Sequence, residues 1–239
     1  MSSSFPPESA AEADSPAVLA LARELFGVRF PVAGRYAELL ATDGVVAGVI
    51  GPREAPRLWS RHLLNSLALS DFVPLHAEVV DVGSGAGLPG VPLAIARADL
   101  SVQLLEPLLR RCRFLESVTG RLDLGSSVSV RRGRAPEAAR DLDVAVDVAV
   151  ARAVAPLDKL TSWSLPLLRP GGLLLALRGR TAQAEVTAAR TAIALAGGGE
   201  VAVREVSLGS AVPPTTVVSI QRVQEAVRRP GSSRGRKKR

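Results

Sequence analysis

An open α/β sheet, mostly parallel and finished by a terminal antiparallel strand, is the fold class this sequence predicts, with a helical extension ahead of it. Three observations predict it. From residue 78 onward, short apolar runs alternate with amphipathic helical stretches, the pattern of parallel strands joined by crossover helices. The first of those runs, Val79-Val80-Asp81-Val82, leads straight into the glycine-dense loop Gly83-Ser84-Gly85-Ala86-Gly87-Leu88-Pro89-Gly90. Before residue 70 the apolar spacing is helical throughout.

Taken in order, residues 1–15 are acidic and poor in apolar side chains, which predicts a disordered N-terminus. Residues 16–26, 32–50 and 58–69 read as helices and make up the extension, 16–70; Trp59, Leu63 and Leu67 share a stripe in the last of them, with Arg61 and Ser66 off it. A domain over 71–223 follows. Its strand 78–82, helix 90–97, strand 101–106 and helix 108–118 lead to strands 127–131 and 144–150, the latter apolar enough to be central. A helix over 157–168 stops at Arg169-Pro170-Gly171-Gly172, and strand 173–177 follows. Helix 181–196, a break at Gly197-Gly198-Gly199 and strands 200–207 and 215–222 complete the sheet, and no internal repeat is visible. Residues 224–239 form a basic tail, predicted to be disordered.

With 239 residues, 47% of them hydrophobic, the chain can bury one sizeable core. No apolar run reaches the length of a membrane span and the N-terminus has no apolar signal segment, so a cytoplasmic protein is expected, with no membrane partner. Cys112 is the only cysteine, which excludes an intrachain disulfide and a cysteine-rich metal site; no metal is expected. Two arginines precede it and one follows, which would favour a thiolate, but a buried thiol is the plainer reading.

The loop points to a nucleotide-like ligand. Glycine brings no Cβ, so backbone N–H groups can approach a ligand closely. Gly85-Ala86-Gly87-Leu88-Pro89-Gly90 fits the dinucleotide fingerprint, while Asp81 with Gly83, Gly85 and Gly87 fits the loop of methyltransferases that use S-adenosylmethionine. In the dinucleotide arrangement the helix N-terminus faces a pyrophosphate, and Asp81 would set a carboxylate near that negative charge. The sulfonium and ammonium of S-adenosylmethionine suit an acid better. Glu106 closes the second strand, where a carboxylate can accept both ribose hydroxyls of an adenosine; it serves either cofactor equally.

The net charge of +7 has a location. Arg228 to Arg239 contain seven basic residues and no acid, leaving 23 basic against 23 acidic in the rest. Such an arm, which includes Arg236, Lys237 and Lys238, suits RNA phosphates; extended it would reach about 40 Å. A second basic concentration lies over residues 110–140, where Arg110 and Arg111 are candidates for pairing with phosphate or stacking on bases. Aromatic residues are only 3% of the chain, too few for a base-stacking platform.

Several segments together resemble a known family: Arg61-His62-Leu63-Leu64-Asn65-Ser66, the run from Val80 through Leu88-Pro89-Gly90, Leu105-Glu106, Phe114-Leu115, Gly133-Arg134-Ala135, Ala151-Arg152-Ala153-Val154-Ala155-Pro156-Leu157 and Leu177-Arg178-Gly179. The chain is similar over residues 20–220 to the small-subunit ribosomal RNA guanine-N(7) methyltransferases, the RsmG or glucose-inhibited division protein B family. The resemblance implies a class I S-adenosylmethionine-dependent methyltransferase fold with a Rossmann-like sheet. It implies methyl transfer to nitrogen 7 of one guanine, guanine 527, in the decoding-region loop of 16S rRNA, with S-adenosyl-L-methionine as cofactor and 16S rRNA or the small ribosomal subunit as partner. It also implies cofactor contacts at Gly83 and Leu88, at Ala135 and Pro136 by the adenine, and at Arg152. The chain departs from the family in four places: Pro136 stands where an acid is usual, Asn65 replaces an Asp, Arg178 replaces a Lys, and the upstream Asn-Leu-Thr segment is absent. Pro136 has no backbone N–H to offer an adenine.

Nitrogen 7 of guanine has an in-plane lone pair and no proton, so the reaction this resemblance implies needs positioning rather than a general base. Arg61 and His62 are then expected to position RNA phosphate or the cofactor-side helix, and Arg152 the donor or the target nucleotide. The loops 50–60 and 178–182 are candidates for ordering over RNA, and a monomer is expected. Two other readings stay open: a methyltransferase with another acceptor, and an inactive module that binds RNA or adenosine ligands.

Overall fold

In a computed structural model, residues 13–135, 137 and 145–223 are described. Helix α1, Pro16–Phe26, starts where Ser15 accepts a hydrogen bond from the Val18 N–H and Pro16 supplies a preset φ. Helix α2, Phe30–Leu39, runs into a π turn over Leu40–Gly44, so the expected helix 32–50 is divided. The segment 58–69 is likewise composite, a π turn over Trp59–Leu63 followed by helix α3 over Leu64–Leu67, and a 3-10 turn over Pro52–Arg57 precedes it. Asp14 ties its start down by accepting from the Trp59 and Ser60 N–H groups. Trp59 packs against the rings of Phe26 and Phe30.

Seven strands form one sheet: β1 Glu78–Val82, β2 Ser101–Glu106, β3 Val128–Arg132, β4 Val146–Arg152, β5 Leu168–Arg178, β6 Gly198–Val206 and β7 Thr215–Arg222. Their order is β3-β2-β1-β4-β5-β7-β6. All pairings up to β5 are parallel, and β7 lies antiparallel between β5 and β6. The terminal strand is therefore the antiparallel one, as the sequence predicts, but β6 takes the edge. Helices α4 Gly90–Ala96, α5 Leu109–Arg121, α6 Leu157–Ser164 and α7 Ala182–Leu195 cover the two faces.

Successive strand residues point to opposite faces, and both faces are buried. Val79, Val148 and Val150 face α1 to α5, while Val80, Val82, Ala149 and Ala151 face α6 and α7. The helical extension thus forms part of the main core, with Tyr36, Leu40, Leu63 and Leu64 fully buried.

Several boundaries differ from expectation: β6 begins at Gly198, inside the break expected at Gly197-Gly198-Gly199, and the helix expected over 157–168 ends at Ser164. Arg169-Pro170-Gly171-Gly172 does not separate a helix from a strand: β5 begins at Leu168, pairing with Val146, and the next pair is Val148 with Leu173, so the four residues bulge within it. Gly172 fits because a Cβ there would meet the Asp147 carbonyl oxygen at 2.8 Å. The strand expected at 144–150 runs two residues further, and Arg152 is its last residue, paired with Leu177, rather than a residue beyond it.

Candidate active site

A cavity of about 1040 Å³ opens at the carboxyl ends of β1, β2 and β4, where the strand order reverses between β1 and β4. That crevice is the usual ligand position on an open parallel sheet. The loop 83–90 forms its floor. Gly83 sits at φ +73°, and a Cβ there would lie 2.7 Å from Cγ1 of Val154, so only glycine allows β1 to turn beneath the loop that follows β4.

The loop satisfies most of its own donors. Gly83 and Ser84 N–H donate to the Leu105 carbonyl at 2.8 and 3.2 Å, and Gly87 and Leu88 N–H to the Ser84 carbonyl at 2.7 and 3.1 Å. The first turn of α4 is equally occupied. Gly90 N–H donates to Asp81 Oδ2 at 3.0 Å, Val91 to the Gly87 carbonyl, Leu93 to the Pro89 carbonyl, and Pro92 has no N–H. A pyrophosphate needs free N–H groups there, so the dinucleotide reading loses its main contact. The sequence could not show this, because it depends on the Asp81 side chain folding back under the loop.

Asp81 is fully buried and does not line the cavity. Burial pushes its pKa up to about 7, against the opposing pull of the Gly90 hydrogen bond, and its Oδ1 has no hydrogen-bond partner. Glu106 does line the cavity. Its Oε2 accepts from the Gly85 N–H and its Oε1 from the Leu108 N–H, each at 3.0 Å, with an Arg111 guanidinium nitrogen 3.8 Å from Oε2. Each carboxylate oxygen has a second lone pair to offer a hydroxyl.

The opposite wall is a chain of charged and polar groups. Arg152 Nη1 lies 2.8 Å from His62 Nδ1, and His62 Nε2 lies 2.8 Å from Glu54 Oε2. A guanidinium can only donate, so Nδ1 accepts and the proton sits on Nε2, donated to Glu54. Burial and then the Arg152 charge push the His62 pKa down to about 4, leaving the ring neutral near pH 7. Burial raises the pKa of Glu54, but the His62 hydrogen bond and the charges of Arg61 and Arg57 outweigh it, so the carboxyl titrates below its ordinary value. Arg57 and Arg61 lie 2.8 and 3.4 Å from Glu54 Oε1. Arg152 also donates to the Arg61 carbonyl, so the helical extension holds it from one side.

Of the residues singled out from sequence, Gly83, Gly85, Leu88, Glu106, Ala135, Arg152, Arg61, His62 and Arg111 line this cavity. Asp81 lies beneath it. Arg110 is exposed on α5, its guanidinium near Gly48 and outside the lining. Pro136, Arg236, Lys237 and Lys238 lie outside the described residues. Cys112 is buried with its thiol donating to the Glu106 carbonyl, and burial raises its pKa. The predicted loop 50–60 supplies Glu54 to the wall, a contribution sequence reasoning missed. Tyr36, buried and donating to the Ala86 carbonyl at 2.9 Å, clamps the loop from α2; its being the single tyrosine of the chain was the only signal available. Trp163 and Arg178 also line the cavity; Arg178, the polar end of an apolar strand, stands out in the sequence only as a departure from the family.

A family model described as GidB, rRNA small subunit methyltransferase G, matches residues 31–211. A protein named ribosomal RNA small subunit methyltransferase G from Salinispora arenicola is 51% identical over 224 residues, covering 92% of this chain and 93% of that one. A protein of the same name from Streptomyces avermitilis is 55% identical over 200 residues, covering 84% and 83%. Among solved structures, a putative O-methyltransferase from Klebsiella pneumoniae superposes with a TM-score of 0.53 at 17% identity, covering 81% of this chain and 90% of that one. An O-methyltransferase family protein from Burkholderia thailandensis gives 0.50 at 16%, covering 86% and 72%. At such identities these two neighbours speak for the fold alone, the class I methyltransferase sheet.

Proposed function

The chain belongs to the rRNA small subunit methyltransferase G family, and from that premise we propose that it methylates nitrogen 7 of one guanine in the decoding-region loop of 16S rRNA, using S-adenosyl-L-methionine. The observation that carries the cofactor reading is Glu106, a nearly buried carboxylate aimed into the cavity from the end of β2 with lone pairs left for the two ribose hydroxyls. The residues around it fit an adenosine: Leu88, Leu105 and Ala135 are apolar and line the same cavity, and a Cβ added at Gly85 would have only the Gly83 carbonyl oxygen near it, at 3.8 Å. When bound, S-adenosylmethionine supplies an electrophilic methyl on a sulfonium.

The residues of the chain then position and exclude. The loop 83–90, pinned by Tyr36 and by Asp81 beneath it, fixes the donor side of the cavity. Arg152, held by His62 and by the Arg61 carbonyl, presents a fixed cation at the acceptor side. His62 has both ring nitrogens engaged and its pKa depressed, so it acts as a positioning residue and not as a base. None is required, because the acceptor nitrogen carries no proton. Arg61 and Arg111 at the rim, together with the basic residues 228–239, supply contacts to RNA phosphates. The protein acts as a cytoplasmic monomer on 16S rRNA or the small subunit in this reading; among the described residues no helix is long and apolar enough to cross a membrane.

The test is transfer of a labelled methyl from S-adenosylmethionine to small ribosomal subunits from cells lacking this gene, with the modified base mapped by chain cleavage. Label on one guanine of the decoding-region loop is expected. Donor binding without label on subunits or on free rRNA would overturn the acceptor assignment, and no donor binding would overturn the enzyme reading.

A further inference from the structure

Beside the main cavity lies a smaller one of about 240 Å³, whose lining includes Asn65, Arg152, Arg178 and Glu185. Arg152 and Arg178 also line the main cavity, so the two spaces share a wall at the carboxyl ends of β4 and β5. The Arg178 side chain is only 8% exposed, and its Nε and Nη2 are buried with no hydrogen-bond partner. Leaving such donors unmatched is costly, and native structures satisfy them with water or a bound ligand. Its Nη1 is already placed, donating to the Ala155 carbonyl at 2.8 Å and lying 3.5 Å from Glu185 Oε2. Glu185 is held in turn by the Thr181 hydroxyl on Oε1. The result is a fixed pair, a guanidinium with unused donors beside a carboxylate with unused lone pairs.

We propose that this pair reads the target base, Glu185 accepting from N1–H and the N2 amino group of guanine while Arg178 donates to O6. The inference rests on the methyltransferase reading above and adds to it the residues that set base identity. A phosphate is the poorer occupant, because Glu185 would face it with like charge. Guanine matches both groups, since its O6 accepts and its N1 and N2 donate on adjoining atoms. Adenine fails twice, turning an amino donor toward Arg178 and a bare N1 acceptor toward Glu185. With N1, N2 and O6 engaged, the remaining edge carries N7, the atom that has to face the donor side.

The experiment measures methyl transfer to small subunits reconstituted with guanine, or with inosine in its place, at the target position. Inosine lacks the N2 amino group and keeps O6 and N7. Wild-type enzyme is expected to prefer guanine about 10- to 100-fold in kcat/KM, the discrimination one good base-edge pair provides. Glu185→Gln is expected to reduce that preference to within about threefold, through a slower reaction on guanine. Arg178→Gln, which loses both the charge and the fork, is expected to slow both substrates alike, since guanine and inosine share O6. Donor affinity and Tm of both variants should match wild type, which separates a reading role from a structural one. An unchanged guanine-to-inosine ratio in Glu185→Gln would overturn the proposal while leaving the methyltransferase reading intact. Absence of transfer by the wild-type enzyme to the guanine substrate would overturn both.

Discussion

Replacing Asp81 by Asn exposes two titrations that oppose each other in the wild-type protein. Asp81 has its pKa raised from 3.8 to about 7, chiefly by burial, so between these values the folded state keeps a proton that the unfolded chain gives up. Raising the pH through this window therefore destabilises the fold. From pH 4.5 to 6.5 the linkage relation gives a loss of about 2–3 kcal/mol. His62 runs the other way: its pKa falls from 6.5 to about 4, so the unfolded chain binds a proton on acidification that the folded state refuses until lower pH. Over the same interval it adds about 2 kcal/mol as the pH rises. The two contributions nearly cancel, and the wild-type protein should show a flat dependence from these groups. Asn at 81 keeps an oxygen acceptor for the Gly90 N–H but does not titrate. Urea unfolding at pH 4.5, 5.5 and 6.5 should show the stability of Asp81→Asn rising relative to wild type by about 2–3 kcal/mol across the range. A constant difference between the two proteins would refute the reasoning, because it would mean that Asp81 titrates alike in the folded and unfolded states.

Three further outcomes follow from the same geometry. Tyr36→Phe leaves the buried Ala86 carbonyl without its donor and should lower unfolding stability by about 1–2 kcal/mol, measured in urea at pH 7. Gly83→Ala combines a positive φ with a Cβ 2.7 Å from Val154; calorimetry should show donor affinity reduced about tenfold or more, the equivalent of roughly 1–2 kcal/mol for the backbone conformation alone. Removing Arg228 to Arg239 should weaken RNA binding at low salt and reduce the log-log salt slope by up to about 5 without changing donor affinity, and equal slopes with and without the arm would remove it from the RNA interface.

The order of strands and helices was legible because each strand is a short apolar run ended by a breaker and each crossover helix carries its own stripe. All seven strands lie where such runs occur. The boundaries that failed are those where propensity and tertiary pairing disagree: Pro170 and two glycines read as a stop, yet they sit in a bulge that β4 holds in register on both sides, with β7 pairing only after it. The π turns at 40–44 and 59–63 were not legible either, because they are set by i→i+5 hydrogen bonds, which the apolar spacing does not report.

The sequence by itself determined the sheet, the glycine loop, the acid at the end of β2 and the family, because these depend on residues adjacent in the chain or repeated at short periods. Only the tertiary structure decided what the side chains do. It turned Asp81 under the loop, occupying the helix N-terminus that a pyrophosphate would need. It brought Glu54 and His62 from the extension against Arg152 at the end of β4, and Glu185 from α7 against Arg178 at the end of β5. Contacts across 90 residues of chain, such as that between His62 and Arg152, leave no periodicity to read. They exist because the apolar faces of the helices and the sheet fix where the polar ends meet.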